Sequence, residues 1–208
     1  MGKNLADSLA RDGYLKSERL AEAFRHIARD RFVSEEFGRQ AAADMPLPIG
    51  HGQTISQPAT VAMMLELLDV REGQHVLDVG SGSGWTSALL GHLVGPHGRV
   101  VAIERLPELF EAGRKNIEKF QLLSSGIVDC ILGDGARGYP EAAPYDRILV
   151  SAAAEEVPEA LKAELKTGGK MVIPIRNSLT LIEKRGENEF FQEEHSGFSF
   201  VPLIEKTS

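Results

Sequence analysis

Asp78, Gly80, Gly82 and Gly84 stand at alternate positions in the run Val76-Leu77-Asp78-Val79-Gly80-Ser81-Gly82-Ser83-Gly84-Trp85. Glycine reaches positive φ and leaves backbone bare, so an apolar strand, three alternating glycines and then a helix form a turn over which an adenosine-bearing molecule can lie. The spacing narrows the ligand. A dinucleotide fingerprint, G-x-G-x-x-G, would need its third glycine where Trp85 stands. A phosphate-gripping loop would end in Gly-Lys-Ser/Thr, yet no lysine lies between Lys16 and Lys115. Nicotinamide cofactors are disfavoured and loop-bound ATP is excluded. The acid at Asp78 suits a positively charged ligand better than a pyrophosphate.

Two further carboxylates follow predicted strands. Glu104 closes Val100-Val101-Ala102-Ile103 and lies 20 residues after Gly84, the distance at which an acid accepts both hydroxyls of a ribose. Asp134, within Gly133-Asp134-Gly135, is placed to accept from an adenine amino group while Gly135 lets the ring approach the backbone. The segment 50–58, Gly-His-Gly-Gln-Thr-Ile-Ser-Gln-Pro, concentrates donors with little basicity. Ser56 lacks both the G-x-S-x-G elbow and an assignable base, so its hydroxyl reads as a hydrogen-bond donor to substrate rather than a nucleophile. His51 and Gln53 flank it as candidate substrate contacts. No metal set accompanies them, because the six histidines are dispersed and one cysteine builds no thiolate cage.

The elements that must hold these residues alternate. Strands are expected at 74–79, 99–103, 126–132, 146–151 and 169–174, with helices at 85–94, 107–120 and 157–165 between them. That is an α/β chain with a doubly wound, mostly parallel sheet. Strands at 178–184 and 197–203, with no long helix between, predict an antiparallel C-terminal edge. Residues 5–37 look helical and charged over an apolar face of Leu15, Leu20, Phe24 and Ile27, forming an N-terminal helical cap. Prolines and glycines between 45 and 57 predict a long loop without a regular element, and residues 59–68 resume helical periodicity. The expected division is a cap and substrate-binding loop over 1–58 and a cofactor-binding catalytic domain over 59–208.

Composition bounds the partners. With 208 residues, one domain with an appendage is expected. The 23 basic and 30 acidic side chains leave a net charge of −7, which repels a phosphate backbone, and the bases form no stripe. Nucleic acid is a poor substrate candidate. No apolar stretch reaches the ~20 residues that span a bilayer, so no membrane association is expected. The charged stretch 1–11, with Lys3, Asp7 and Arg11, lacks the pattern of a secretory signal, and cytoplasmic residence and a monomeric state are the expectations. The lone Cys130 reads as a small buried hydrophobe.

Asp-x-Gly-x-Gly-x-Gly resembles the loop of methyltransferases that use S-adenosylmethionine. Together with Phe32-Val33, Asp44, Pro46-Leu47-Pro48-Ile49-Gly50, Gly52-Gln53-Thr54-Ile55-Ser56-Gln57-Pro58, Ile103-Glu104-Arg105, Gly133-Asp134-Gly135, Ala143-Pro144-Tyr145-Asp146, Gly168-Gly169, Pro174 and Phe200-Val201-Pro202-Leu203, it makes the chain similar to the protein-L-isoaspartate O-methyltransferases from about residue 12 to Leu203. The Gly-Gln-Thr-Ile-Ser-Gln-Pro segment is the family-specific part.

The resemblance implies a Rossmann-like methyltransferase sheet and S-adenosylmethionine as cofactor. It implies isoaspartyl-containing proteins and peptides as partners, and as product a carboxyl methyl ester that collapses to succinimide without the enzyme. It assigns Ser56 to the active site, and Thr54, Ile55, Gly80, Ser81, Gly82, Ser83, Glu104, Asp134 and Gly135 to the cofactor. The chemistry agrees with this assignment. An α-carboxyl with a pKa of ~3.5 is ionised at neutral pH, so methyl transfer to it needs no general base. The protein has only to hold the oxygen roughly 3 to 3.5 Å from the methyl carbon and exclude water. Ala42 and Ala59 stand where many relatives carry aromatics, which lightens the expected contact with the flanking peptide. Two alternatives remain open at this level: a methyltransferase for another carboxylate or a small nucleophile, and a non-catalytic module that binds S-adenosylmethionine.

Overall fold

Over residues 5–204, the part described in the computed structural model, the chain builds a seven-stranded sheet under a helical cap. Lys3, part of the charged N-terminal stretch, lies outside the described residues. Helices α1 (Leu5–Arg11) and α2 (Glu18–His26) begin the cap. Ser17 caps α2 by accepting the Leu20 amide at 3.3 Å, and Leu20, Ala21, Ala23 and Phe24 form its buried stripe. The helical pattern predicted to residue 37 stops at His26. Two 3₁₀ turns follow, Arg29–Phe32 and Glu35–Gln40. Arg29 is turned inward onto backbone carbonyls of residues 41–56, a tertiary interaction that overrides local helical preference.

Residues 45–57 are not the irregular loop expected from their prolines and glycines. They contain an antiparallel hairpin of β1 (Leu47–Gly50) and β2 (Gln53–Ile55). Gly50, His51 and Gly52 adopt φ of 93°, 52° and 70°, so residues that break longer elements make a tight reversal here. Pro48 fits because an edge strand has positions that need no ladder donor.

Helix α3 (Pro58–Leu68) leads into the sheet, built from β3 (His75–Val79), α4 (Trp85–Val94), β4 (Arg99–Glu104), α5 (Pro107–Glu118), β5 (Val128–Leu132), β6 (Tyr145–Val150), α6 (Glu159–Glu164), β7 (Leu165–Ile175), β8 (Ser178–Lys184) and β9 (Phe190–Ser196). The strand order is β5-β4-β3-β6-β7-β8-β9. The first five strands run parallel and the last two antiparallel. The predicted edge is therefore present, but its last strand is 190–196 rather than 197–203. At Gly197, with φ of 99°, the chain leaves the sheet edge. Residues 198–204 cross back over the strand ends, where Ala153 donates to the Val201 carbonyl at 2.8 Å and Leu203 donates to the Ala153 carbonyl at 2.7 Å.

Successive strand residues enter opposite cores. Val76, Val100 and Leu149 join the cap residues Leu20 and Phe24 on one face. Leu77, Val101, Ile148 and Val150 join Leu161 and Ile173 on the other. This period-two division of nearly continuous apolar strands is what a parallel sheet covered on both faces requires. No described helix is long and apolar enough to cross a membrane. Cys130, in β5, is half-buried, and burial pushes its thiol up to about 11. It therefore stays protonated and unreactive at neutral pH.

Candidate active site

Strand order reverses between β3 and β6, and a cavity of about 860 Å³ opens there, outside the carboxyl ends of the strands. Parallel α/β sheets place ligands at this point because the loops on either side diverge. Its floor is the turn from Val79 to Trp85. Gly80, Gly82 and Gly84 adopt φ of 79°, 50° and 84°, values that side chains rarely tolerate. At Gly84 space forbids a side chain as well, since a Cβ would stand 2.8 Å from Ile117 and 2.9 Å from the Gly113 carbonyl. The turn is thus pressed against α5 on one side and left as bare backbone on the other.

Glu104 reaches this turn from the neighbouring strand. Gly82 donates its amide to Oε2 at 2.9 Å, and the amides of Arg105 and Leu106 donate to Oε1 at 2.8 and 2.9 Å. Asp134 begins the turn after β5, accepting the Ala136 amide at 3.1 Å, with Arg137 3.7 Å from its other oxygen. Ile103, Leu106 and Leu109 add an apolar wall beside the two acids. Among the described residues the wall holds Ser81, Ser83, Gly133 and Gly135 but no lysine, and its one basic residue is Arg105. These residues fit a ligand with an adenosine and positive charge better than one with phosphates.

Asp78 departs from the reading made of it. It is fully buried and does not line the cavity. Thr86 and Ser87 donate their hydroxyls to its Oδ2 at 2.8 and 2.6 Å. Burial pushes its carboxyl up to about 6, with the charge of Glu104 adding to the rise and the two hydroxyls opposing it. Asp78 ties the first turn of α4 to β3 beneath the glycine turn and does not face the cavity.

The hairpin supplies the opposite wall. Gln53, Thr54, Ile55 and Ser56 line the cavity. His51 sits exposed at the hairpin tip, away from it. A second cavity of about 1430 Å³ lies on the other side of Ser56. Thr54, Ser56, Ser151 and Val201 belong to both walls and stand at the boundary between the two cavities. Ala59 lines the second cavity, whereas Ala42 is exposed and does not. The aromatic surface there comes from Tyr14 of the cap and from Phe198 and Phe200 of the crossing segment.

Two contributors escaped the sequence reading. Ser151 directly follows β6, its amide donating to the Val79 carbonyl at 2.9 Å, and its Oγ is buried without a partner. The rule that ligands gather at strand ends could have found it, because β6 is β3's neighbour across the reversal. Residues 201–203, read as strand, wall the first cavity instead, together with Ile204.

The family model of protein-L-isoaspartate(D-aspartate) O-methyltransferases matches residues 2–208. The chain is 48% identical over 206 residues to the protein-L-isoaspartate O-methyltransferase of Methanopyrus kandleri, covering 97% of this chain and 90% of the relative. To that of Methanothrix thermoacetophila it is 50% identical over 191 residues, covering 91% and 90%. Among solved structures, a Plasmodium falciparum protein described as a protein-L-isoaspartate O-methyltransferase, in complex with S-adenosyl-L-homocysteine, superposes with a TM-score of 0.84 at 27% identity, covering 96% of each chain. A second protein-L-isoaspartate O-methyltransferase superposes with a TM-score of 0.87 at 29% identity, covering 99% of this chain and 66% of that one. On a Rossmann-like methyltransferase sheet, and matched over almost its whole length by the family model and by both relatives, this chain belongs to the protein-L-isoaspartate(D-aspartate) O-methyltransferase family.

Proposed function

We propose that the chain transfers a methyl group from S-adenosylmethionine to the free α-carboxyl of L-isoaspartyl residues in damaged proteins and peptides, starting their repair through succinimide. The observation that carries this reading is the shared boundary of Thr54, Ser56, Ser151 and Val201, where a cavity suited to the cofactor abuts a separate open groove. S-adenosylmethionine, when bound, supplies an electrophilic methyl group on a positively charged sulfur. Gly80, Ser81, Gly82 and Ser83 would lie under it, with Glu104 at the ribose, Asp134 and Gly135 at the adenine, and Thr54 and Ile55 covering it.

On the acceptor side Ser56 donates its hydroxyl to the carboxylate, whereas Gln53, in β2, lines the cofactor cavity and not the acceptor groove. The acceptor arrives ionised, so the protein need move no proton. Its work is to orient and to exclude water, and a short hairpin stiffened by Pro46, Pro48 and Pro58 is suited to that. The exposed position of His51 supports a contact with the outer part of a peptide rather than with the carboxyl. A net charge of −7 speaks against nucleic acid as substrate. The lone cysteine fits a reducing cytoplasm, and scattered exposed apolar side chains fit a monomer.

A paired-peptide assay with labelled methyl donor tests the reading. The wild-type protein should methylate an isoaspartyl peptide and leave its aspartyl counterpart untouched. Ser56→Ala should lose at least tenfold in turnover while binding S-adenosylhomocysteine nearly normally. Equal labelling of both peptides, or of neither, would overturn the proposed substrate, and a parallel loss of cofactor affinity would move Ser56 to the other cavity.

A further inference from the structure

Arg29 is a buried cation, 3% exposed, whose guanidinium spends its hydrogen bonds on main-chain carbonyls. Nη1 donates to Ala41 and Ala43 at 3.1 and 3.2 Å, and Nη2 to Met45, Ile55 and Ser56 at 2.8, 3.4 and 3.0 Å. Its guanidinium carbon lies 5.4 Å above the centre of the Trp85 ring. Trp85 opens α4 directly after Gly84, and its Nε1 donates to the Ile27 carbonyl at 3.1 Å. One side chain therefore touches both the loop that carries Ser56 and the first residue beyond the glycine turn. Burying a charge without an ion-pair partner is expensive, so its presence here calls for a reason beyond loop closure. Burial draws the guanidinium down to about 10, against the smaller opposing influence of Asp44, and it stays charged at neutral pH.

We propose that Arg29 is a positioning residue for methyl transfer, holding the Ile55-Ser56-Gln57 backbone in register with the glycine turn so that its donors face the acceptor carboxylate. The peptide geometry supplies the mechanism. In a trans peptide the C=O and the following N–H point in opposite directions. With the carbonyls of Ile55 and Ser56 turned onto Arg29, the amides of Ser56 and Gln57 lie on the side away from it, and both residues line the acceptor groove. Lysine cannot replace this arrangement, because an ammonium is a point donor and cannot span carbonyls from both the 41–45 segment and β2.

The proposal rests on the reading of Ser56 as the acceptor-side residue, and the wild-type paired-peptide assay judges that reading separately. Arg29→Lys and Arg29→Met are to be compared with wild type in steady-state turnover on an isoaspartyl peptide, at least 15 °C below each melting temperature, and in affinity for S-adenosylhomocysteine. Arg29→Lys is expected to bind S-adenosylhomocysteine within about threefold of wild type and to lose roughly 10- to 100-fold in kcat. A lowered melting temperature with kcat within twofold of wild type would overturn the proposal, as would a loss of cofactor affinity that matches the loss of rate. Trp85, the single tryptophan of the chain, gives a readout on the unmodified protein. Saturating isoaspartyl peptide, added to the S-adenosylhomocysteine complex, should shift its emission, and an unchanged spectrum would also overturn the coupling.

Discussion

Glu104 accepts the Gly82 amide at 2.9 Å across the gap between β4 and the turn after β3. The same carboxylate takes the amides of Arg105 and Leu106 on its other oxygen. One side chain from the second strand thus closes the glycine turn of the first and fixes its own strand end. Three charge-assisted bonds to backbone hold it in place before any ligand arrives, which is how a binding surface is pre-organised.

Glu104→Gln tests that closure. A glutamine has one accepting oxygen and one NH₂ group, so either Gly82 or the Arg105–Leu106 pair loses its acceptor. With hydrogen bonds to a charged group worth about 2 kcal/mol, affinity for S-adenosylhomocysteine should fall at least tenfold and the melting temperature by a few degrees. Calorimetric titration measures the first, and an affinity within threefold of wild type would show that the turn holds its shape without Glu104.

Asp78 predicts a pH dependence of stability. Its folded carboxyl titrates near 6 instead of 3.8, chiefly because it is buried. Between those values the folded chain keeps a proton that the unfolded chain has released. The stabilising contribution of the neutral acid is therefore complete below about 3.8 and is lost as pH rises through about 6. Asp78→Asn is neutral throughout and has no such loss. The melting temperature of wild type minus that of Asp78→Asn should fall steadily from pH 4 to pH 6 and level off above pH 7, and a difference that stays flat over this range would refute the assignment.

The parts of this architecture that were legible in the sequence are those set by local pattern. Alternating glycines after an apolar strand, and an acid 20 residues further on, locate the turn and Glu104 because backbone sterics and the βα repeat fix both distances. The parts that were not legible depend on partners far along the chain. Nothing in Arg29-Asp30-Arg31-Phe32 separates Arg29 from Arg31, and only the carbonyls supplied by residues 41–56 make the first a buried anchor. Residues 197–203 alternate like a strand, but Gly197 turns them off the edge, and two bonds to Ala153 fix them across the cavity. Asp78 looked like a ligand-facing acid because its strand position is right, while the direction of its side chain depended on hydroxyls at Thr86 and Ser87 in the next helix.

The acceptor groove sets a preference among substrates. Among the described residues its wall contains no charged side chain, and Tyr14, Pro46, Met63, Phe198 and Phe200 give it apolar surface, with Tyr14 still 44% exposed and available to a peptide. An acidic residue beside the isoaspartyl would lose hydration there without gaining a partner, whereas a leucine would cover about half of its apolar surface, worth about 1 kcal/mol or roughly fivefold in KM. In a series of isoaspartyl peptides varied at the two flanking positions, KM should rise from Leu through Gly to Glu at one position at least. Tyr14→Ala should flatten the series without changing kcat, since the residue lines the groove and not the cofactor cavity. KM values within twofold across the wild-type series would mean that peptide flanks pass outside the groove and that its apolar surface plays no part in choosing the substrate.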